Sequence, residues 1–243
     1  MKLKNLRCPL ALLAAMASAS AHAGADYNGV YAGLTLGYVS GKDTGNETPP
    51  NPTEGTYTQQ TEPSGGLLAA SVGYAHLFAG RYVLGLEADA ELRNPSEHSV
   101  QKLNGVPTSF ATSGFVDPIR FSSNIAFNVG PRLGFVLNDG KTLLSATTGA
   151  TVARITRSFG CVGAGCGFQP GDVTSITQTD WQAGWSAGAG IEHFVSGQLT
   201  AGIDYRHSGF GQQDVDYPLF NPIARQHQKY SEDSVRFTLR YRF

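Results

Sequence analysis

Eight segments of alternating apolar and polar residues predict an all-β fold, an eight-stranded antiparallel up-and-down transmembrane β-barrel. The connections support this, because tight and long ones alternate along the chain. A third observation is that no continuous apolar run after residue 24 reaches the roughly 20 residues a spanning helix needs. A chain that crosses a bilayer without helices must close its strands into a ring, since an open edge leaves backbone groups unpaired in hydrocarbon.

The composition agrees. Apolar residues make up 41% of the 243 and charged residues only 15%, with many aromatic and β-branched side chains, so disorder is excluded. A net charge of −1 gives no electrostatic basis for binding nucleic acid or for a polybasic membrane patch. Residues 1–23 read as a signal peptide. Lys2, Lys4 and Arg7 precede an apolar stretch over 8–19, and Ala21-His22-Ala23 fits the small-x-small rule, placing cleavage between Ala23 and Gly24. Cys8 lies before that site and outside a lipoprotein setting, so no lipid anchor is expected. Residues 24–243 then form one barrel domain.

In order, the strands read as follows. Val30, Ala32, Leu34, Leu36 and Tyr38 share the lipid face of the first. Leu68, Ala70, Val72, Tyr74 and Phe78 mark the second, and Tyr82, Leu84, Leu86, Ala88, Ala90 and Leu92 the third. The fourth presents Phe121, Ile125, Phe127, Val129, Leu133, Phe135 and Leu137. The fifth, over 141–155, alternates less cleanly, with Leu144, Ala146, Ala150 and Val152 as its outer set. Trp181, Ala183, Trp185, Ala187, Ala189 and Ile191 mark the sixth; Leu199, Ala201, Ile203 and Tyr205 the seventh; Val235, Phe237, Leu239, Tyr241 and Phe243 the eighth.

The tight connections are Ala79-Gly80, Asn138-Asp139-Gly140 and Val195-Ser196-Gly197, where glycine or asparagine accepts positive φ. The long polar ones cover roughly 39–65, 93–120, 156–179 and 209–233. This is the pattern of short periplasmic turns and long extracellular loops. A soluble barrel also alternates, but it would keep charges off its inner face. Here they share that face with the glycines, while Tyr38, Tyr74, Phe78, Tyr82, Phe121, Trp181, Tyr205 and Tyr241 sit near strand ends like membrane girdles.

The inward rows carry Glu87, Asp89, Glu91, Glu192 and Asp204 against Arg132, Arg206, Arg236, Arg240 and Arg242. Five acids meet five arginines. The lumen of an eight-stranded barrel is just wide enough for side chains to fill, and charges held there must pair or be hydrated. These ten residues are expected to form a salt-bridged plug that leaves the lumen largely closed. The other reading of the same residues is a small or gated, charge-lined channel for small solutes.

Catalysis is not expected. His207 and Ser208 are adjacent, so a strand sends them to opposite faces. His76 and His193 fall on outer faces, and no His-Glu-x-x-His spacing occurs. No cofactor or metal site is expected. Cys161 and Cys166 flank Val-Gly-Ala-Gly in the third long loop, where a disulfide would close a small ring; metal binding is the rival reading, but no nearby histidine completes a site. Tyr217, Phe220, His227 and Tyr230 give the fourth loop an aromatic character suited to a ligand or to packing on the rim.

The terminal Phe243, preceded by aromatic or apolar residues at alternate positions, resembles the C-terminal signature of bacterial outer-membrane proteins. The blocks YNGVYAGLTLGY, YVLGLEADAEL, NVGPRLGFVLNDGKTLLSATTGAT, GWSAGAGIEHFVSGQLTAGIDYRHSGFG and VRFTLRYRF resemble the small OmpA-like barrel family, including opacity-type "porin family" surface antigens. The resemblance implies the bacterial outer membrane, contact with its lipid and lipopolysaccharide, and recognition of the last strand by the barrel-assembly machinery. It implies host or surface ligands for the loops. Some relatives bind haem, for which His98 and His227 would be the loop candidates. A closed barrel has no free edge, so a monomer is expected.

Overall fold

All eight alternating segments are strands, and most run further than their hydropathy indicates. The computed structural model describes residues 26–48, 57–100, 102–103, 106–107, 118–162, 173–217 and 224–243. Its barrel strands are β1 (Gly29–Thr48), β3 (Ser64–Phe78), β4 (Tyr82–Arg93), β8 (Pro118–Val136), β9 (Thr142–Val162), β10 (Val173–Ser196), β11 (Leu199–Phe210) and β13 (Ala224–Arg242). Shorter strands lie beyond the long-connection end: β2 (Tyr57–Thr61), β5 (Ser96–Val100), β6 (Lys102–Leu103), β7 (Val106–Pro107) and β12 (Gln213–Tyr217).

The ring runs β1-β3-β4-β8-β9-β10-β11-β13 and closes by antiparallel pairing of β13 with β1. Every step is antiparallel between neighbours in the chain, as an up-and-down barrel requires. The ring is sheared. Paired residues lead from Lys42 through Ser231, Gly209, Trp185, Ala150, Val129, Ala88 and Val72 back to β1 at Ala32, ten residues from the start. Such a stagger obliges the strands to tilt, by about 35–45° in barrels of this kind.

The lipid-facing rows come out as the alternation predicts, with Leu34, Leu36, Leu86, Leu133, Trp185, Ile203 and Val235 all exposed on the outer wall. Phe121 is the exception. It was expected on the lipid face and instead points inward, 2% exposed. The register of β8 against β9 shifts between Ser123 and Ile125, and one extra residue reverses the faces on either side of the bulge. Phe121 is therefore not a girdle residue.

The long loops need a second correction. Much of 39–65, 93–120, 156–179 and 209–233 is strand. β9 and β10 stay paired up to Val162 and Val173, with hydroxyl pairs such as Thr156–Thr179 at 2.9 Å and Ser158–Thr177 at 3.0 Å. β2 folds back on β1, and β12 on β13. Above the bilayer both faces of a strand meet water or polar neighbours, so the apolar period disappears while the ladder continues.

The three short turns have the expected chemistry. Gly80, Gly140 and Gly197 all take positive φ. Ala79 also has φ 48°, the only non-glycine to do so among the described residues. In the second turn the Asp139 carboxylate accepts the Thr142 hydroxyl at 2.5 Å and the Lys141 and Thr142 N–H groups at 3.0 Å each. The Thr142 hydroxyl and these N–H groups hold the Asp139 carboxyl below the ordinary aspartate value.

Candidate functional site

The lumen is stacked in layers. At the short-turn end an apolar layer joins Tyr27, Tyr31, Ala75, Val83, Val136, Leu143 and Phe194. Tyr27 and Phe194 rings lie 4.8 Å apart, and the Tyr27 hydroxyl donates to the Lys141 carbonyl at 2.7 Å. The Arg242 guanidinium caps this layer, 4.8 Å from the Tyr27 ring and 5.1 Å from the Tyr31 ring.

The charged layer follows, and it brings all ten predicted residues together. Glu192 is its hub. It accepts from Arg132 at 2.8 Å, Arg240 at 2.9 Å and Arg242 at 2.7 Å, and its side chain is 1% exposed. Glu87 lies 3.6 Å from Arg132 and 3.3 Å from Arg240, and also accepts the Tyr31 hydroxyl at 2.9 Å. Asp89 and Glu91 form a second hub. Arg206 reaches them at 2.9 and 3.3 Å, and Arg236 at 3.5 and 2.7 Å. Asn128 donates to both carboxylates. Asp204 is peripheral, with Arg240 at 3.5 Å and the Thr238 hydroxyl at 3.1 Å.

Forked guanidiniums suit such a lattice, since one arginine can bridge two carboxylates. Alternation on five strands points these side chains at one axis, and the glycines of the inward rows leave them room. Gly73 is one such position, because a methyl there would collide with the Tyr31 ring and the Leu86 carbonyl. Two gaps remain beside Arg206, of about 10 and 20 Å³. Each is roughly the space of one water.

Several partners lie beyond the ten. Arg93 reaches Glu232 at 2.5 Å and Glu91 at 3.5 Å, and Glu232 also accepts the Tyr230 hydroxyl at 2.7 Å. Arg93 simply continues the inward row of Glu87, Asp89 and Glu91, and Glu232 that of Arg236 and Ser234, so period two carried past the apolar segments finds both. Phe121, Phe210 and Tyr230 stack above them, with centroids 4.6 and 5.3 Å from Tyr230. Still further out Arg157 holds Asp43 through two bonds, at 2.6 and 3.0 Å.

The other candidates stand apart. His207 faces outward with Nδ1 2.8 Å from the Asp233 carboxylate, whereas Ser208 is buried on the inner face. His76 packs edge-on against Phe78, and His193 meets the Thr142 hydroxyl at 2.9 Å. His98 is exposed in β5, opposite Arg120. His227 lies 2.7 Å from Asp214, and its hydrogen bond holds that carboxyl below the ordinary value. Among the described residues no group of three His, Cys, Asp or Glu side chains is placed to hold a metal. Cys161 lies in β9 opposite Thr174. Cys166, Ala23 and Gly24 lie outside the described residues. Phe243 closes the ring, its N–H donating to the Val30 carbonyl at 3.0 Å.

A family model for the outer membrane protein beta-barrel domain matches residues 10–243. Among solved structures, OprG of Pseudomonas aeruginosa is 8% identical with a TM-score of 0.53, covering 89% of this chain and 96% of OprG. Ail, the attachment invasion locus protein of Yersinia pestis, is 12% identical with a TM-score of 0.40, covering 88% and 99%. The outer membrane protease OmpT of Escherichia coli is 11% identical with a TM-score of 0.47, covering 88% and 96%. At these identities the OprG likeness speaks to the fold alone. No curated protein matches the chain.

Proposed function

The chain belongs to the outer membrane protein beta-barrel domain family, and from that premise we propose that it is an envelope scaffold with a closed lumen that displays its long connections at the cell surface. The family places it in the bacterial outer membrane. The observation that carries the scaffold reading is the pairing of the lumen charges. Each arginine of the central layer has a carboxylate within 3.6 Å, and aromatic or apolar layers lie on either side of that layer. Among the described residues, this stack of paired and apolar side chains supports a lumen with no water path of solute size.

Single-channel recording in planar bilayers tests this. The expected trace is flat at porin scale, and stable openings of porin size would overturn the scaffold. A small or gated channel is the second reading. It is favoured by the two adjoining water-sized gaps, which share Glu87, Thr147 and Arg206 in their walls. Liposome swelling with small solutes separates the two, because a gated path admits solutes slowly where a scaffold admits none.

In the proposed role the extracellular β-ribbons carry recognition of host or surface ligands, and loss of adhesion on their deletion is the expected result. The last strand, ending in Phe243, is the segment offered to the assembly machinery. The closed ring leaves no edge for a second copy, which supports a monomer. A non-enzymatic role is supported by the opposed faces of His207 and Ser208.

A further inference from the structure

The ring closes within the bilayer, and one seam above it stays open. Pairing of β10 with β11 ends at Gly184 opposite Phe210. The last main-chain bond runs from the Gly211 N–H to the Ala183 carbonyl at 3.3 Å. The cause is a bulge. From Gly209 to Gln213 the chain advances four residues while β13 opposite advances three, from Ser231 to Gln228. The extra residue bends β12 away from β10. Further out β10 stays paired with β9 as far as Val173, and β12 with β13. Among the described residues β10 and β12 share no ladder. The seam starts beside Trp181, a girdle position, so it opens on the extracellular side.

Side chains alone span the gap. Gln213 donates to the Asp180 carboxylate at 3.0 Å and accepts from the Gln182 amide. Gln182 is 6% exposed, yet its own carbonyl oxygen has no donor among the described residues. A buried acceptor without a donor is costly. The main chain beside it is also unpaired. The Ala183 carbonyl points into the seam, so alternation turns the N–H and C=O groups of Ser175, Thr177, Thr179 and Trp181 the same way, while those of the residues between them pair with β9. Edge strands are commonly blunted by lysine, proline or charge. The β12 edge carries Asp214 and Asp216. The β10 edge over Val173–Thr179 carries no charge and no proline, and is rich in β-branched residues.

We propose that the β10 edge binds an extended segment of another protein as an added antiparallel strand, paired main chain to main chain with Ser175, Thr177 and Thr179. An amine or amide side chain on the segment's inward face donates to Gln182 and Asp180. Unpaired N–H and C=O groups supply affinity for an extended polypeptide, and the side chains alternating along it supply the selection. The inference rests on display of the ribbons at the cell surface and names the kind of ligand they hold.

The test uses the refolded full-length barrel in detergent and a fluorescent peptide of alternating valine and lysine, with binding read by anisotropy. The wild type is expected to bind it. With the lysines inward, the valine N–H groups face β10, so N-methylation of the valines should weaken binding about tenfold, the worth of two or so hydrogen bonds. Thr177→Pro with Thr179→Pro removes two edge N–H groups and spares the β9 ladder; it should weaken binding about as much. Thr177→Val with Thr179→Val, which keeps those groups, should bind as wild type does. Thr177→Pro alone serves if the pair fails to fold, folding being read from circular dichroism. Gln182→Leu should lower affinity about fivefold. No binding by the wild type, or equal binding by the proline variant, overturns the edge. Binding unchanged by N-methylation overturns main-chain pairing. Dimerisation of the wild type that the proline pair abolishes makes a second copy the occupant and overturns the choice of partner. Adhesion lost on ribbon deletion but kept by the proline variant overturns strand addition and leaves surface recognition standing.

Discussion

Replacing Glu192 with glutamine keeps the shape of the hub and removes its charge. Three guanidiniums lose a partner unequally. Arg240 keeps Glu87 at 3.3 Å and Asp204 at 3.5 Å, and Arg132 keeps Glu87 at 3.6 Å. Arg242 keeps no carboxylate among the described residues, only the Tyr27 carbonyl at 3.3 Å and the aromatic faces beneath it. Removing one partner of a buried pair costs about 3–5 kcal/mol, because the remaining charge is stranded. Partial compensation for two arginines and little for the third points to about 4 kcal/mol for Glu192→Gln. Asp204→Asn is the control. Its carboxylate has one arginine at 3.5 Å and a side chain 19% exposed, so about 1 kcal/mol is expected. Urea unfolding in lipid vesicles, followed by tryptophan fluorescence, measures both. If Glu192→Gln stays within about 1 kcal/mol of wild type, or the two variants lose the same amount, the lumen charges are hydrated individually and the hub argument fails.

Other outcomes follow from the same structure. Ala79→Gly should stabilise the first turn by about 1 kcal/mol, since it removes the αL penalty at φ 48° at a smaller entropic cost in the unfolded chain; an unchanged urea midpoint counts against it. Gly73→Ala should push the Tyr31 ring off Glu87 and cost about 1–3 kcal/mol in the same assay. Asp139 titrates with its folded value depressed, so its stabilisation is present above the ordinary aspartate range and is lost as pH falls through the folded value. The stability difference between wild type and Asp139→Asn should therefore shrink on acidification, and a difference that grows contradicts the assignment. Non-reducing mass spectrometry should find Cys161 and Cys166 as one disulfide in the secreted protein, and two free thiols refute the pairing.

Within the bilayer the chain's own pattern was sufficient. A lipid outside and a charged lumen inside impose opposite demands on alternate residues, so Leu84, Leu86 and Ala88 against Glu87, Asp89 and Glu91 declare both faces without any three-dimensional information. The tight turns declare themselves through residues that accept positive φ. Beyond the girdle that opposition vanishes, so the paired extensions of β1, β9, β10 and β13 could not be read from hydropathy although their ladders are continuous. Tertiary structure alone decided three further matters. The bulge between Ser123 and Ile125 turned Phe121 inward, because one added residue inverts parity. Closure and shear determined which charges meet, bringing Glu192 of β10 against Arg240 and Arg242 of β13, two strands away across the lumen. The same closure left Arg154, among the described residues, without a carboxylate partner beside an apolar hollow, a placement that depends on which neighbours the ring brings to it.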